Sequence, residues 1–215
     1  MKPSLTRDDL IRLAKDFCRE QHHERELFGV TDGKAVGTFI EHRFKEALAS
    51  LYSAEIGNSA VGIDLPSIET DIKVTSARQP QSSSPFRSAR QKVYGLGYNL
   101  LVFVYEKNDV PAERAAILTF LDCVFIDKSR TADYQTTRGL LETLQRDGNR
   151  DDIIAFLEDR NLPADEMTIA DLADEVIQFP PLLGYLTISN ALQWRLQYGR
   201  VINLSHPVDG IVKIV

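Results

Sequence analysis

The sequence has little of what marks a secreted, membrane or metal-thiolate protein. Its 215 residues include two cysteines, Cys18 and Cys123, at no spacing a zinc site uses, and both are expected as reduced, buried thiols. No apolar run approaches the roughly 18–20 residues that span a bilayer, and Met1-Lys2-Pro3-Ser4-Leu5 holds no apolar signal core. A cytoplasmic protein with no membrane partner is the expectation. The histidines His22, His23, His42 and His206 share no ligand spacing, which leaves them surface or local hydrogen-bonding roles. Trp194 is the single tryptophan and is expected to pack, not to stack on a base. There is no internal repeat, no long low-complexity tract and no helicase-type phosphate loop. Positive charge is also short, with a net charge of −6 that speaks against a nucleic-acid partner. The deficit is local, however. Asp133 to Glu175 holds twelve acidic and four basic residues, and the remainder holds nineteen acidic and twenty-one basic ones.

What is present is the patterning of one globular domain. Leu5, Leu10, Ile11, Leu13, Ala14 and Phe17 share a face of a helix over 5–22, and a polar loop follows over 21–34. Val36, Ile40, Phe44, Ala47, Leu48 and Leu51 make a stronger helix over 35–52, with Glu41 at the edge of its apolar stripe. Strands are expected at 60–65 and 68–75, joined as an antiparallel hairpin by a turn at Leu65-Pro66-Ser67. Prolines and serines make 76–86 irregular, and a short helix over 87–96 ends at Gly95 and Gly97. Tyr98 to Tyr105 reads as a fully buried strand, and 115–126 as one strand or two broken near Asp122. Helices follow at 133–146, 151–159 and 168–178, the last capped by Thr168 and stopped by Pro180-Pro181. A helix at 186–198 and short strands at 200–204 and 210–215 complete the chain. The order is that of an α/β (α+β) fold, a central mixed β-sheet flanked by helices. The expected organisation is one domain over 1–215, with a core at about 35–126, an acidic helical part at about 130–180 and a C-terminal elaboration at 185–215.

The stretch Gly62-Ile63-Asp64-Leu65-Pro66-Ser67-Ile68-Glu69-Thr70-Asp71-Ile72-Lys73-Val74-Thr75 carries the chemistry. Residues i and i+2 of a strand share a face, so Asp71 and Lys73 stand side by side while Ile68, Ile72 and Val74 turn to the core. Carboxylate and carbonyl oxygens suit Mg²⁺, which neutralises a phosphodiester and acidifies water. Asp64 and Asp71, with the Ile72 carbonyl, are the expected metal ligands, and Lys73 the group that orients water and stabilises developing charge. Glu41 is the expected partner of a metal-held water or a second ion. Glu69 shares the face of Asp71 and Lys73 and is an alternative acid. The same pattern also fits a solvated ion pair on an exposed strand, with Asp64 in a turn.

Together, Glu41, Asp64, Asp71 and Lys73 resemble the active site of the PD-(D/E)XK nuclease superfamily, which includes many restriction endonucleases. A helical acid, a hairpin acid, and then Asp-x-Lys are matched in order, and residues 87–105 match the helix and strand that follow. The resemblance spans about 35–126. Ile63 stands where the family often has proline, and the interval between Asp64 and Asp71 is short. Gln91 and Tyr94 are similar to a Gln and a Tyr found after the motif in exonuclease-like members. The resemblance implies a restriction-endonuclease-like core and Mg²⁺-dependent in-line cleavage of double-stranded DNA leaving 5′-phosphates.

For reading DNA, the sequence offers Arg78, Gln79, Gln81, Ser82, Ser83 and Ser84 in the loop after the motif, then Arg87, Arg90 and Lys92. Arg and Gln pair with guanine and adenine edges, whereas Ser and Lys hold phosphates. Asn190, Gln193, Gln197 and Arg200 form a second candidate set. A sequence-specific endonuclease acting as a homodimer is the first reading, since a duplex needs two cuts and many target sites are symmetric. A repair or recombination nuclease, and a non-catalytic DNA-binding protein, are the alternatives.

Overall fold

The computed structural model describes residues 2–53, 62–84, 87–189 and 194–215. Contacts divide the chain into two compact units, one of 1–82, 98–126 and 206–215, the other of 83–97 and 127–205.

The first unit is a mixed sheet with two helices packed on it. Helix α1 (Arg7–Arg19) begins at Thr6, whose hydroxyl accepts the Asp9 amide while Asp9 answers the Thr6 amide. Strand β1 (His22–Glu24) and a 3₁₀ turn (Arg25–Leu27) occupy the stretch expected as loop. Helix α2 (Gly33–Leu51) starts at Asp32, which accepts the Lys34 and Ala35 amides at 3.1 and 3.3 Å. Strand β2 (Thr70–Ser76) runs parallel to β4 (Asn99–Val110), which pairs antiparallel with β5 (Ala115–Ile126). Strands β1 and β8 (Ile211–Lys213) add to opposite ends of β5, giving the path β1-β5-β4-β2 with β8 beside β5. The expected mixed sheet flanked by helices is therefore what forms. Asn99 to Tyr105 is buried throughout, as a two-sided strand requires. Strand β5 is continuous; the irregularity near Asp122 is a bulge in which Leu121 is the extra residue between Phe120 and Asp122. Phe17, Phe44, Phe103 and Phe120 meet at 4.9–5.9 Å, edge to face except for the tilted Phe17–Phe120 pair, and join the helices to the sheet. Both cysteines are free; Cys123 is buried in this core and Cys18 is half-buried.

The expected hairpin is reduced to one bridge. Residues 60–61 lie outside the described residues, Gly62 to Asp64 form no strand, and only Leu65 pairs with Thr70. Pro66–Ile68 is a 3₁₀ turn, closed by Glu69 in the left-handed region at φ 48°. Proline fixes the turn, and the sharp reversal that follows leaves no room for a longer ladder.

In the second unit, α3 (Arg90–Tyr94) precedes α4 (Tyr134–Gln145), α5 (Arg150–Asp159) and α6 (Glu166–Gln178). Their core includes Val93, Leu140, Ile153, Leu157, Leu172 and Val176. The cap of α6 is Asp165, not Thr168: Thr168 donates its amide to the Asp165 carboxylate at 2.8 Å. The expected helix over 186–198 is not formed among the described residues. Thr187–Ile188 (β6) pairs antiparallel with Trp194–Gln197 (β7), and β3 (Gln81–Ser84), which leads from the first unit into the second, completes a three-stranded sheet. Ile188, Leu192 and Leu196 recur every four residues as in a helix, whereas Ile188, Trp194 and Leu196 satisfy a two-residue period, and strand pairing decides between them. Trp194 is wholly buried, in the packing role expected of it. Gly199–Ile202 is a single helical turn (α7), not a strand. No helix among the described residues is long and apolar enough to cross a membrane.

Candidate active site

Three segments of the first unit supply the side chains singled out above. On α2, Ile40 and Phe44 are buried, which fixes the rotation of the helix and leaves Glu41 half-buried on the flank. Lys45 follows one turn later on the same flank, as i,i+4 residues do. On β2, Asp71 is 6% exposed and Lys73 half-buried, on the face opposite Ile72. Asp64 arrives from the segment before the 3₁₀ turn and takes over part of the work of a strand. Its Oδ2 accepts the Ile72 N–H at 2.8 Å, on the edge of β2 away from β4.

These groups form a connected network. Lys73 Nζ lies 2.6 Å from Asp71 Oδ2. Asp64 and Asp71 lie near enough for each carboxyl to shift the titration of the other. Lys45 Nζ lies 2.6 Å from Asp64 Oδ1 and 2.6 Å from Glu41 Oε1, so it stands between the two acids. Glu41 is thus tied to Asp64 through an ammonium, and no three metal-ligating side chains are drawn together among the described residues. Glu69 is exposed and precedes β2; its left-handed backbone breaks the alternation that was to place it beside Asp71.

The two aspartates titrate in opposite directions. Burial, with the hydrogen bond to Asp64, outweighs the attraction of Lys73 and pushes Asp71 up to about 6. Burial acts the same way on Asp64, but hydrogen bonds from Asp71, Lys45 and the Ile72 amide overcome it and hold Asp64 below the usual carboxylate range. The pair therefore gives up its last proton near pH 6, later than a lone carboxyl would, and both groups are ionised above that pH. Burial would lower both lysines, yet Lys73 is raised by Asp71 and Lys45 by Asp64 and Glu41, so both stay charged.

This donor set fits a hard divalent cation. Two carboxylates in contact carry repulsion that a cation relieves better than a proton does. The N–H and carbonyl of one strand residue leave on the same side, so the Ile72 carbonyl faces the edge where Asp64 sits. Sequence reasoning missed Lys45, although the Glu41-x-x-x-Lys45 spacing was a readable signal of an ion pair.

The DNA-reading residues are met unevenly. Arg78, Gln79 and Arg87 are exposed, and Gln81, Ser82 and Ser83 half-buried. Ser84 and Lys92 are each 2% exposed, so neither presents a surface to a partner; the Lys92 ammonium is 5.8 Å from the Trp194 ring centroid. Both were expected in polar stretches, but Ser84 ends a strand and Lys92 falls on the buried side of α3. Arg90 is spent on Glu175, with Nε 3.1 and 3.0 Å from its two oxygens. Arg200 lies 3.5 Å from the centroid of the Tyr134 ring. Asn190 and Gln193 lie outside the described residues. Because β7 is a strand, Arg195 and Gln197 are its outward residues, and Arg195 reaches Ser83 Oγ at 3.2 Å.

Comparison with known proteins gives two positive findings. The family described as type II restriction enzyme NspV matches residues 4–213. The type II restriction enzyme NspV of Nostoc sp. is 56% identical over 193 residues, covering 90% of this chain and 88% of that protein. No solved structure matches.

Proposed function

Because this chain belongs to the type II restriction enzyme NspV family, we propose that it cuts double-stranded DNA at a specific sequence through Asp64, Asp71 and Lys73. The reading extends to Mg²⁺ as cofactor, 5′-phosphate products and a homodimeric enzyme of the PD-(D/E)XK type. The observation that carries it is the Lys73 ammonium 2.6 Å from Asp71 on β2, with Asp64 anchored at 2.8 Å to the amide of the intervening Ile72. In the proposal Asp64, Asp71 and the Ile72 carbonyl hold the metal. When bound, Mg²⁺ supplies charge neutralisation and a more acidic water.

The protein's own side chains do the rest. Lys73, fixed by Asp71, orients the attacking water opposite the departing 3′-oxygen and donates to a non-bridging phosphate oxygen as negative charge builds there. Half-burial keeps this ammonium in a region where a charge–charge contact is screened less than in water. DNA reading is assigned to Arg78, Gln79, Gln81, Ser82, Ser83, Arg87, Gln197 and Arg200, to which β7 adds Arg195. Arg and Gln supply the bidentate pairings that separate guanine and adenine from the other bases.

Digestion of plasmid DNA with Mg²⁺ tests this reading. Wild-type protein should give discrete fragments, and Lys73→Ala and Asp71→Ala should each lower the rate by roughly 100-fold or more while the circular-dichroism spectrum is unchanged. A smear, or trimming from ends, would point to a repair-type nuclease. Full activity in either variant would remove the site.

A further inference from the structure

We propose that Lys45 is a built-in counter-cation that takes the place of a second metal ion, so that each active site binds one divalent cation. The inference rests on the metal site proposed above and concerns a residue outside its ligand set. Enzymes that use two metals bridge carboxylates with ions about 3.5–4 Å apart. Here the carboxylates suited to a second ion are Glu41 and Asp64, and the Lys45 ammonium already lies 2.6 Å from an oxygen of each. Its side chain is 15% exposed, and two of its three N–H donors are spent on these acids.

Local structure holds the ammonium there. Phe44 and Leu48 are fully buried neighbours on α2, so the helix cannot turn Lys45 away without exposing them. Asp64 is in turn anchored to β2 through the Ile72 N–H at 2.8 Å. Charge balance points the same way. Glu41, Asp64 and Asp71, fully ionised, set against Lys45 and Lys73, leave one negative charge. A single divalent cation turns that positive, and a second would enter against repulsion that half-burial screens poorly. Lys45 is accordingly a positioning residue: it keeps Asp64 ionised and oriented, and it denies Glu41 to a metal.

Calorimetric titration of the full chain with Ca²⁺ alone reads the stoichiometry without any turnover. Wild-type protein and Lys45→Arg should bind one ion per chain, and Lys45→Met, which keeps the length and removes the charge, should bind two. Glu41→Gln, which leaves the Asp64–Asp71 pair untouched, should keep one ion with wild-type affinity. In the double variant Lys45→Met/Glu41→Gln the count should return to one. With Mn²⁺, Lys45→Met should show the exchange-coupled spectrum of a metal pair, which wild-type protein should lack. One ion in Lys45→Met, or two in wild type, would overturn the role of Lys45 while leaving the metal site standing. Ca²⁺ binding that survives Asp71→Asn undiminished would instead remove the metal site and this inference with it.

Discussion

At the scale of single residues, Asp71 is where structure adds most to sequence. An Asp-x-Lys pair on a strand is legible from spacing alone, and the structure does place Lys73 Nζ 2.6 Å from Asp71. That Asp71 also contacts Asp64 was not legible, because the contact depends on Asp64 reaching across to the Ile72 amide. The contact has a consequence for pH. Asp71 titrates near 6, above its ordinary value, so below that pH a cation must displace the proton and above it none is displaced. Ca²⁺ affinity should be flat above about pH 7 and fall roughly tenfold per unit below about pH 6. Calorimetry across this range checks the slope, and Asp71→Asn should abolish both the binding and its pH dependence. Lys45 was legible in principle, since its spacing from Glu41 marks an ion pair, but nothing in the sequence reveals that Asp64 shares the same ammonium.

At the scale of elements, helices declared themselves through periodicity and caps, whereas short strands did not. The α2 stripe of Val36, Ile40, Phe44 and Leu48 is buried as its spacing requires. The stretch from Ile188 to Gln197 misled because Leu192 and Leu196 are four apart while Trp194 and Leu196 are two apart. Which period prevails depends on partners that no local window contains. One such partner is Asp133, which is 1% exposed. It caps α4 by accepting the Thr136 amide at 2.9 Å, and its other oxygen accepts the Ile188 amide at 2.8 Å, so one carboxylate joins a helix start to β6. Asp133→Ala would leave both amides buried without an acceptor. A loss of about 3 kcal/mol or more is expected, read as a lower urea midpoint, and Asp133→Asn should recover part of it.

For the whole molecule, the acidic excess read between Asp133 and Glu175 falls in the second compact unit, and the candidate catalytic side chains fall in the first. Overall charge was therefore a poor guide to a DNA partner. What bears on DNA binding is where cations are exposed, as Arg78 and Arg87 are. Arg78→Ala should weaken DNA binding and reduce the slope of log affinity against log salt by about 1 if that arginine meets a phosphate, or relax sequence preference at one base if it meets a guanine. Binding measured at several salt concentrations on cognate and scrambled duplexes separates the two. Sedimentation of the DNA-free protein should give twice the chain mass, as a homodimer requires.

The placement of β2 at the end of the sheet order β1-β5-β4-β2 has one more consequence. A terminal strand is a template on which another chain can polymerise, and proteins discourage this with proline, bulges or charges set into the strand. In β2 the residues that hold this deterrent are Asp71 and Lys73, with Asp64 occupying the Ile72 amide. The machinery proposed for hydrolysis would then double as a guard against stacking into fibrils. Neutral replacements at these positions should be prepared and stored as colloidally fragile proteins, with light scattering monitored alongside every assay of lost cutting.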